Sequence, residues 1–260
     1  MTDLRRQRID SAFSAARNYD SHARVQRVVA QALARRIATL DLPSAPRVLE
    51  IGCGTGFLTE ALIDRAVPGE WLVTDLAGAM VDRCRARVGE AAGRRFARLD
   101  GEYDPRPSGP PFDLICSSLA LQWFDDIPAA TQRLRGWLAP AGHLIFTTLT
   151  AGTFGEWRLA HQRLGLSPGT PRFPGADTFG PTASAERHVE LFASGHEFLR
   201  SLKAIGAGTP ASRHRPLGPA DLRRVIAEFE RGSDAPESDA PMIAVTYEVV
   251  TCHLRAKEPR

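Results

Sequence analysis

Glu50-Ile51-Gly52-Cys53-Gly54-Thr55-Gly56 is the stretch on which the fold turns. A short apolar run, Val48–Ile51, leads into it, and apolar residues at helical spacing follow over 56–66. Strand, glycine turn and helix in that order make a generic nucleotide cradle, because glycine reaches backbone conformations that a Cβ forbids and lets main-chain N–H groups approach a ligand. Further runs stand at Trp71–Thr74, Phe96–Leu99, Asp113–Ser117 and His143–Leu149, with helical patterns at 78–89 and 125–138 between them. This alternation calls for a parallel sheet covered on both faces, wound with right-handed crossovers.

Outward from that core the texture changes at both ends. Residues 5–17 and 21–40 read as helices, the second with Val25, Val28, Val29, Leu33, Ile37 and Leu40 on one stripe and with Asp20 or Ser21 as its cap. Leu42-Pro43-Ser44-Ala45-Pro46 breaks the pattern. Beyond Leu149 the spacing predicts a helix at 154–164, a Gly/Pro-rich loop at 165–183, a strand at His188–Phe192, helices at 196–207 and 219–231, and a last strand at Met242–Leu254. Gly232–Ala240 is polar and acidic and reads as a disordered loop. The simplest organisation is one α/β domain over 1–260, doubly wound, with N-terminal helices (1–42) and a helical insertion (150–240) over the carboxyl edge of the sheet.

The loop chemistry narrows the ligand. A dinucleotide fold places a third glycine six positions into the motif; counted from Gly52, that position is Phe57. Glu50, two residues before the first glycine, would repel a pyrophosphate but suits an ammonium group. S-adenosylmethionine carries an ammonium and no phosphate. Asp75, closing the second run as Thr74-Asp75-Leu76, can accept both ribose hydroxyls, a feature shared with dinucleotide folds. Asp100, in Leu99-Asp100-Gly101-Glu102, is placed to take the adenine amino group, and Ser117-Ser118 ends the fourth run. The candidate cofactor residues are therefore Glu50, Gly52, Cys53, Gly54, Asp75, Leu76, Asp100, Gly101, Glu102 and Ser117, with Tyr19 placed to fold over them.

Composition limits the alternatives. With 43% hydrophobic and 24% charged residues the chain has the make-up of a globular protein. No apolar stretch is long enough for a membrane span, and Met1-Thr2-Asp3-Leu4-Arg5-Arg6 has no signal-peptide character, so a cytoplasmic location is expected. Cys53, Cys84, Cys116 and Cys252 form no C-x-x-C pair, so neither a metal site nor a disulfide framework is expected. A net charge of +3 gives no reason to expect nucleic acid, but its distribution is uneven. Residues 1–40 hold eight Arg against three Asp and residues 200–231 seven basic against three acidic residues, leaving an acidic remainder. A basic face for an acidic partner is one reading; arginine as the default surface cation, 31 of the 33 basic residues, is another.

With these motifs in place the sequence resembles the class I S-adenosylmethionine-dependent methyltransferases, Rossmann-like folds with a mostly parallel seven-stranded sheet. More narrowly it resembles the malonyl-acyl-carrier-protein O-methyltransferases of biotin biosynthesis. Phe13-Ser14-Ala15-Ala16-Arg17-Asn18-Tyr19-Asp20, Ala23, Gln26 and the glycine loop carry the resemblance, as do Ser117-Ser118-Leu119-Ala120-Leu121-Gln122-Trp123 and Phe146-Thr147-Thr148-Leu149. Arg172-Phe173-Pro174 and Arg200-Ser201-Leu202-Lys203-Ala204-Ile205-Gly206-Ala207 separate this family from general methyltransferases, and the closing Thr246-Tyr247-Glu248 also fits it.

The resemblance implies methylation of the free carboxyl of a malonyl thioester on acyl carrier protein, or of malonyl-CoA, leaving S-adenosylhomocysteine. A carboxyl with a pKa of roughly 3–4 is already ionised at neutral pH, so no general base is needed, and the seven histidines are scattered. Arg172, Lys203 and Arg200 are the candidate cations for the malonyl carboxylate. Gln122, Trp123 and Tyr19 are candidates for the methyl-transfer pocket, and Arg200, Arg213, Arg215, Arg223 and Arg224 for carrier docking. A small-molecule methyltransferase shares the entire cofactor site and stays open at this point, as do a silent cofactor-binding module and, less well supported by Glu50 and Phe57, a nicotinamide oxidoreductase.

Overall fold

A computed structural model describes residues 2–180, 183–208, 214–232 and 242–256. The expected acidic loop, apart from Gly232, and Arg213 lie outside the described residues. Seven strands, β1 (Arg47–Ile51), β2 (Glu70–Asp75), β3 (Arg94–Arg98), β4 (Phe112–Ser118), β5 (Leu138–Leu149), β6 (Ser184–Phe192) and β7 (Ile243–Arg255), form one sheet in the order β3-β2-β1-β4-β5-β7-β6. β7 runs antiparallel to both its neighbours, and every other pairing is parallel. The sheet is the doubly wound, mostly parallel class expected from the alternation.

Strands β1 and β4 read as near-continuous apolar runs because helices cover both their faces. On one face α3 (Arg24–Ile37) sets Leu33, Ala34 and Ile37 against Leu58, Ala61 and Leu62 of α4 (Phe57–Ile63), over Val48 and Leu114. On the other, α6 (Ile127–Arg135) packs Ile127 and Leu134 with Phe112, Ile115 and Phe146. α5 (Gly78–Val88) follows β2. A third cluster belongs to the segment beyond β5, where Trp157 of α7 (Gly155–Arg163), Phe198 of α8 (Gly195–Ala204) and Phe229 of α9 (Pro219–Arg231) meet edge-on or tilted.

Three expectations are corrected. The helix expected over 21–40 is two helices, α2 (Tyr19–His22) and α3, and neither Asp20 nor Ser21 caps α3, whose N-cap is Ala23. Asp20 accepts instead from Thr55 Oγ1 in the glycine loop at 2.7 Å. β6 begins at Ser184 rather than His188, because its first residues are polar and largely exposed on an edge strand, where no apolar period marks them. β5 begins at Leu138, a start hidden by the turn-like Pro140-Ala141-Gly142 and by a register shift opposite Phe112 and Leu114.

The fold brings β1, β2 and β4 to one carboxyl edge and lays α1 (Thr2–Ala15) and α2 across it. Gly206, just past α8 with φ +72°, makes the join between the two covers: a Cβ there would stand 3.0 Å from Phe13 Cδ1 and 3.2 Å from the Ala12 carbonyl of α1. No described helix is long and apolar enough to cross a membrane.

Candidate cofactor and acceptor site

A cavity opens at the carboxyl ends of β1, β2 and β4. Its floor is the glycine loop, with Gly52, Gly54 and Gly56 at φ +71°, +54° and +96°. Gly52 is the most constrained, since a Cβ there would meet Ala120 Cβ at 2.3 Å. The loop is tied to the next strand end: Gly54 N–H donates to one Asp75 oxygen at 2.9 Å and Ala77 N–H to the other at 2.8 Å. Burial nevertheless lifts Asp75 to about 6, those backbone bonds opposing it. Glu50, 1% exposed, accepts from Thr59 Oγ1 at 2.7 Å, and burial pushes it to about 8. A buried carboxylate with so little compensation favours a cation from outside the chain.

The N-terminal elements close over this floor. Tyr19 sets its hydroxyl over Gly54, 4.0 Å from where a Cβ would sit, and burial together with Asp75 and Asp20 raises its pKa, so it is a donor rather than a base. Arg87 donates to the Thr55 carbonyl and pairs with Asp20, locking α2 to the loop. From α1, Arg6, Ile9 and Phe13 line the cavity. Arg6 pairs with Asp100, 3.5 Å away, and with Glu102, and lies over the rings of Tyr103 and Phe124. Arg5 reaches Asp125 at 2.6 Å, Asp10 pairs with Arg98 at 2.8 Å, and Arg83 donates to the Ser14 and Ala16 carbonyls.

Of the residues singled out from sequence, Tyr19, Glu50, Gly52, Cys53, Gly54, Asp75, Leu76, Asp100 and Gly101 line this cavity. Glu102 and Ser117 do not. Glu102 is spent on Arg6 and on the Asp125 and Asp126 N–H groups at 2.8 Å, and Ser117 donates to the Ile51 carbonyl at 2.7 Å, stitching β4 to β1. Cys53 and Cys84 are distant in sequence, yet the neighbouring Cys84 thiol, together with burial, raises Cys53 well above the ordinary thiol range and keeps it protonated. Arg6, Ile9 and Phe13 were legible as one helical face at spacings of three and four, a signal the reading of α1 as a plain helix passes over.

A second cavity of about 530 Å³ adjoins the first, sharing Phe13, Tyr19, Gln26, Leu119 and Trp123 with it. Its far walls are apolar: Leu149, Phe154, Phe173, Leu202, Ile205 and Ala207, with Tyr247 and Gln122. Gln122 Nε2 donates to the Leu119 carbonyl at 2.5 Å, and its oxygen accepts from Thr148 at 3.4 Å. Trp123 packs edge-on against Phe13 with ring centroids 5.5 Å apart. Arg172, Arg200 and Lys203 are exposed and none lines either cavity, although Pro171 and Phe173 beside Arg172, and Leu202 beside Lys203, do.

Residues 49–144 match a family described as a methyltransferase domain. The chain is 46% identical over 223 residues to a biotin biosynthesis bifunctional protein BioCD of Bordetella avium, covering 84% of this chain but only 47% of that protein. It is 38% identical to a malonyl-acyl-carrier-protein O-methyltransferase of Magnetococcus marinus, over 94% of this chain and 90% of that one, and 34% identical to another from Halorhodospira halophila, over 92% and 84%. Among solved structures, the YcgJ protein of Bacillus subtilis aligns over 87% of this chain and 98% of its own at 18% identity with a TM-score of 0.58. A methyltransferase structure from Bacillus halodurans aligns over 88% and 99% at 12% identity with the same score. At such identities these two share the fold.

Proposed function

The chain belongs to the malonyl-acyl-carrier-protein O-methyltransferases, and from that premise we propose that it methylates the free carboxylate of a malonyl thioester in the biotin pathway. One observation carries the reading: a relative of that name is 38% identical over 94% of this chain and 90% of its own. Because the chain spans about half the length of its bifunctional relative, any further activity of a longer protein lies outside this proposal.

The residues at the first cavity fit S-adenosylmethionine. A glycine loop whose Gly52 and Gly54 backbone lines the cavity, a buried Glu50 with no ion-pair partner among the described residues, and acids at two successive strand ends match its close backbone contact, its ammonium group, and its ribose and adenine. When bound, S-adenosylmethionine supplies an electrophilic methyl that a carboxylate oxygen takes in one displacement, the C–S electron pair remaining on sulfur. The chain's part is positional. Asp75, held by two backbone N–H groups, would accept from the ribose hydroxyls, Asp100 would take the adenine amino group, and Tyr19, set over Gly54, would close the loop side. No residue needs to move a proton, because the acceptor is ionised at neutral pH. Holding two reactants in line is worth roughly 7–11 kcal/mol of barrier, and Phe13, Tyr19 and Gln26 on one side and Phe173, Leu202 and Ile205 on the other wall the acceptor cavity.

The acidic carrier docks, in this reading, on exposed basic residues: Arg172 and Lys203, whose chain neighbours line the acceptor cavity, with Arg200, Arg215 and Arg223; none has an ion-pair partner among the described residues. The basic balance of residues 1–40 is partly internal, since Arg5, Arg6 and Arg36 pair with acids of the same chain. The experiment is transfer of labelled methyl to malonyl-CoA and to malonyl-carrier protein, followed by mild alkali. Label released as methanol marks an ester and supports the proposal. Alkali-stable label points to a carbon or nitrogen acceptor and defeats it.

A further inference from the structure

We propose that the malonyl carboxylate is recognised by neutral hydrogen-bond donors, with the side-chain amide of Gln26 as the specificity-determining group, rather than by a cation. The inference rests on the malonyl reading above. Carboxylate and methyl must meet where the two cavities join, and five residues form the shared wall: Phe13, Tyr19, Gln26, Leu119 and Trp123. None carries a charge, and among the described residues the acceptor cavity has no Lys, Arg or His on its lining. Arg172 and Lys203 stand exposed between lining neighbours, so they serve the entrance rather than the junction.

The polar groups at that wall are not equivalent. The Tyr19 hydroxyl is set over Gly54, on the cofactor side. Gln122, on the acceptor side only, already spends its amide on the Leu119 carbonyl and Thr148. Trp123 offers one indole N–H. Gln26, half-buried on α3 a turn before the buried Ala30, has no hydrogen-bond partner for its amide among the described residues and lines both cavities. Its Nε2 can donate to the oxygen that does not attack.

A neutral donor also suits the chemistry. A guanidinium in an apolar chamber would pair with the carboxylate bidentately, engage both oxygens and stabilise the ground state. One amide N–H orients the group, leaves the second oxygen free to attack and retains most of its negative charge. A hydrogen bond to a charged group of this kind supports about a 10- to 100-fold effect on rate.

The test compares wild type, Gln26→Ala and Gln26→Glu on malonyl-CoA and malonyl-carrier protein, with S-adenosylhomocysteine affinity measured in parallel by calorimetry. Gln26→Ala, tolerated in a helix, is expected to lower kcat/KM about 10- to 100-fold on both substrates while cofactor affinity changes by less than about threefold. Gln26→Glu repels the carboxylate and loses more, and its activity relative to wild type recovers as pH falls and the new carboxyl becomes a donor. Arg172→Gln and Lys203→Gln are expected to act through KM for the carrier-bound substrate. Unchanged kcat/KM in Gln26→Ala, a matching loss of cofactor affinity, or a collapse of kcat on malonyl-CoA in either cation variant overturns the proposal while leaving the malonyl reading intact. Wild-type inactivity on both malonyl thioesters overturns the two together.

Discussion

Two carboxylates under the glycine loop make the site a pH-sensitive one. Glu50 is raised from 4.5 to about 8 and Asp75 from 3.8 to about 6, each chiefly by burial. A carboxyl whose folded pKa exceeds its unfolded value contributes stability that is full below the unfolded pKa and lost as pH rises through the folded one. The ligand-free chain is therefore expected to lose thermal stability between about pH 5 and 8, and Glu50→Gln to flatten that slope in a series of melting scans. Cofactor affinity runs the other way. On the proposal that the cofactor's ammonium group is held by the ionised Glu50, binding below pH 8 releases a proton and strengthens with pH, by at most about tenfold per unit. Titration calorimetry at pH 6, 7 and 8 checks the sign, and affinity that is flat across the three removes Glu50 from the ammonium site. Gly52→Ala combines a backbone cost of about 1–2 kcal/mol at φ +71° with a 2.3 Å clash on Ala120, so S-adenosylhomocysteine affinity should fall by at least about tenfold.

The decisive contacts at the level of elements lie between α1 and the strand-end acids. Arg6, buried and paired with Asp100 and Glu102, holds the helix over the cavity, and removing one partner of a buried pair costs about 3–5 kcal/mol. Arg6→Ala should lower the melting temperature and speed hydrogen exchange through 2–15, and protection there equal to wild type would show that α1 is held by other contacts. This latch also marks the boundary of what the sequence could tell. Glycine spacing and the acids Asp75 and Asp100 are local features whose meaning depends on their place at a strand end, and they line the cavity. Glu102 and Ser117 share that address, yet their atoms are consumed by the 124–126 turn and by β1, which only a three-dimensional neighbour list distinguishes. Asp20 looked like a helix cap because capping is a local signal, whereas its partner Thr55 is 35 residues away. Gly206 shows the reverse. Its segment stood out in the sequence without a reason, and the reason is the close approach of α1 to α8.

Over the whole molecule, charge is unevenly distributed along the chain. Arg5 and Arg6 pair with acids of the same chain, while Arg172, Arg200, Lys203, Arg215 and Arg223 are exposed. Surface charge of this kind governs encounter more than final affinity. Raising sodium chloride should therefore raise KM for malonyl-carrier protein several-fold with a much smaller effect on malonyl-CoA, and Arg200→Glu with Arg223→Glu should mimic high salt. Steady-state kinetics on the two substrates decides this, and equal salt responses would contradict carrier docking at that face. In the proposed reading, the uncharged walls at the cavity junction serve the chemistry and the exposed cations outside it serve docking. The measurement that tests the central claim most directly is intact-mass spectrometry of malonyl-carrier protein after incubation with the enzyme and S-adenosylmethionine, with acetyl-carrier protein alongside. The account predicts a gain of one methyl on the malonyl form and none on the acetyl form. No gain on malonyl, or equal gains on both, would contradict it.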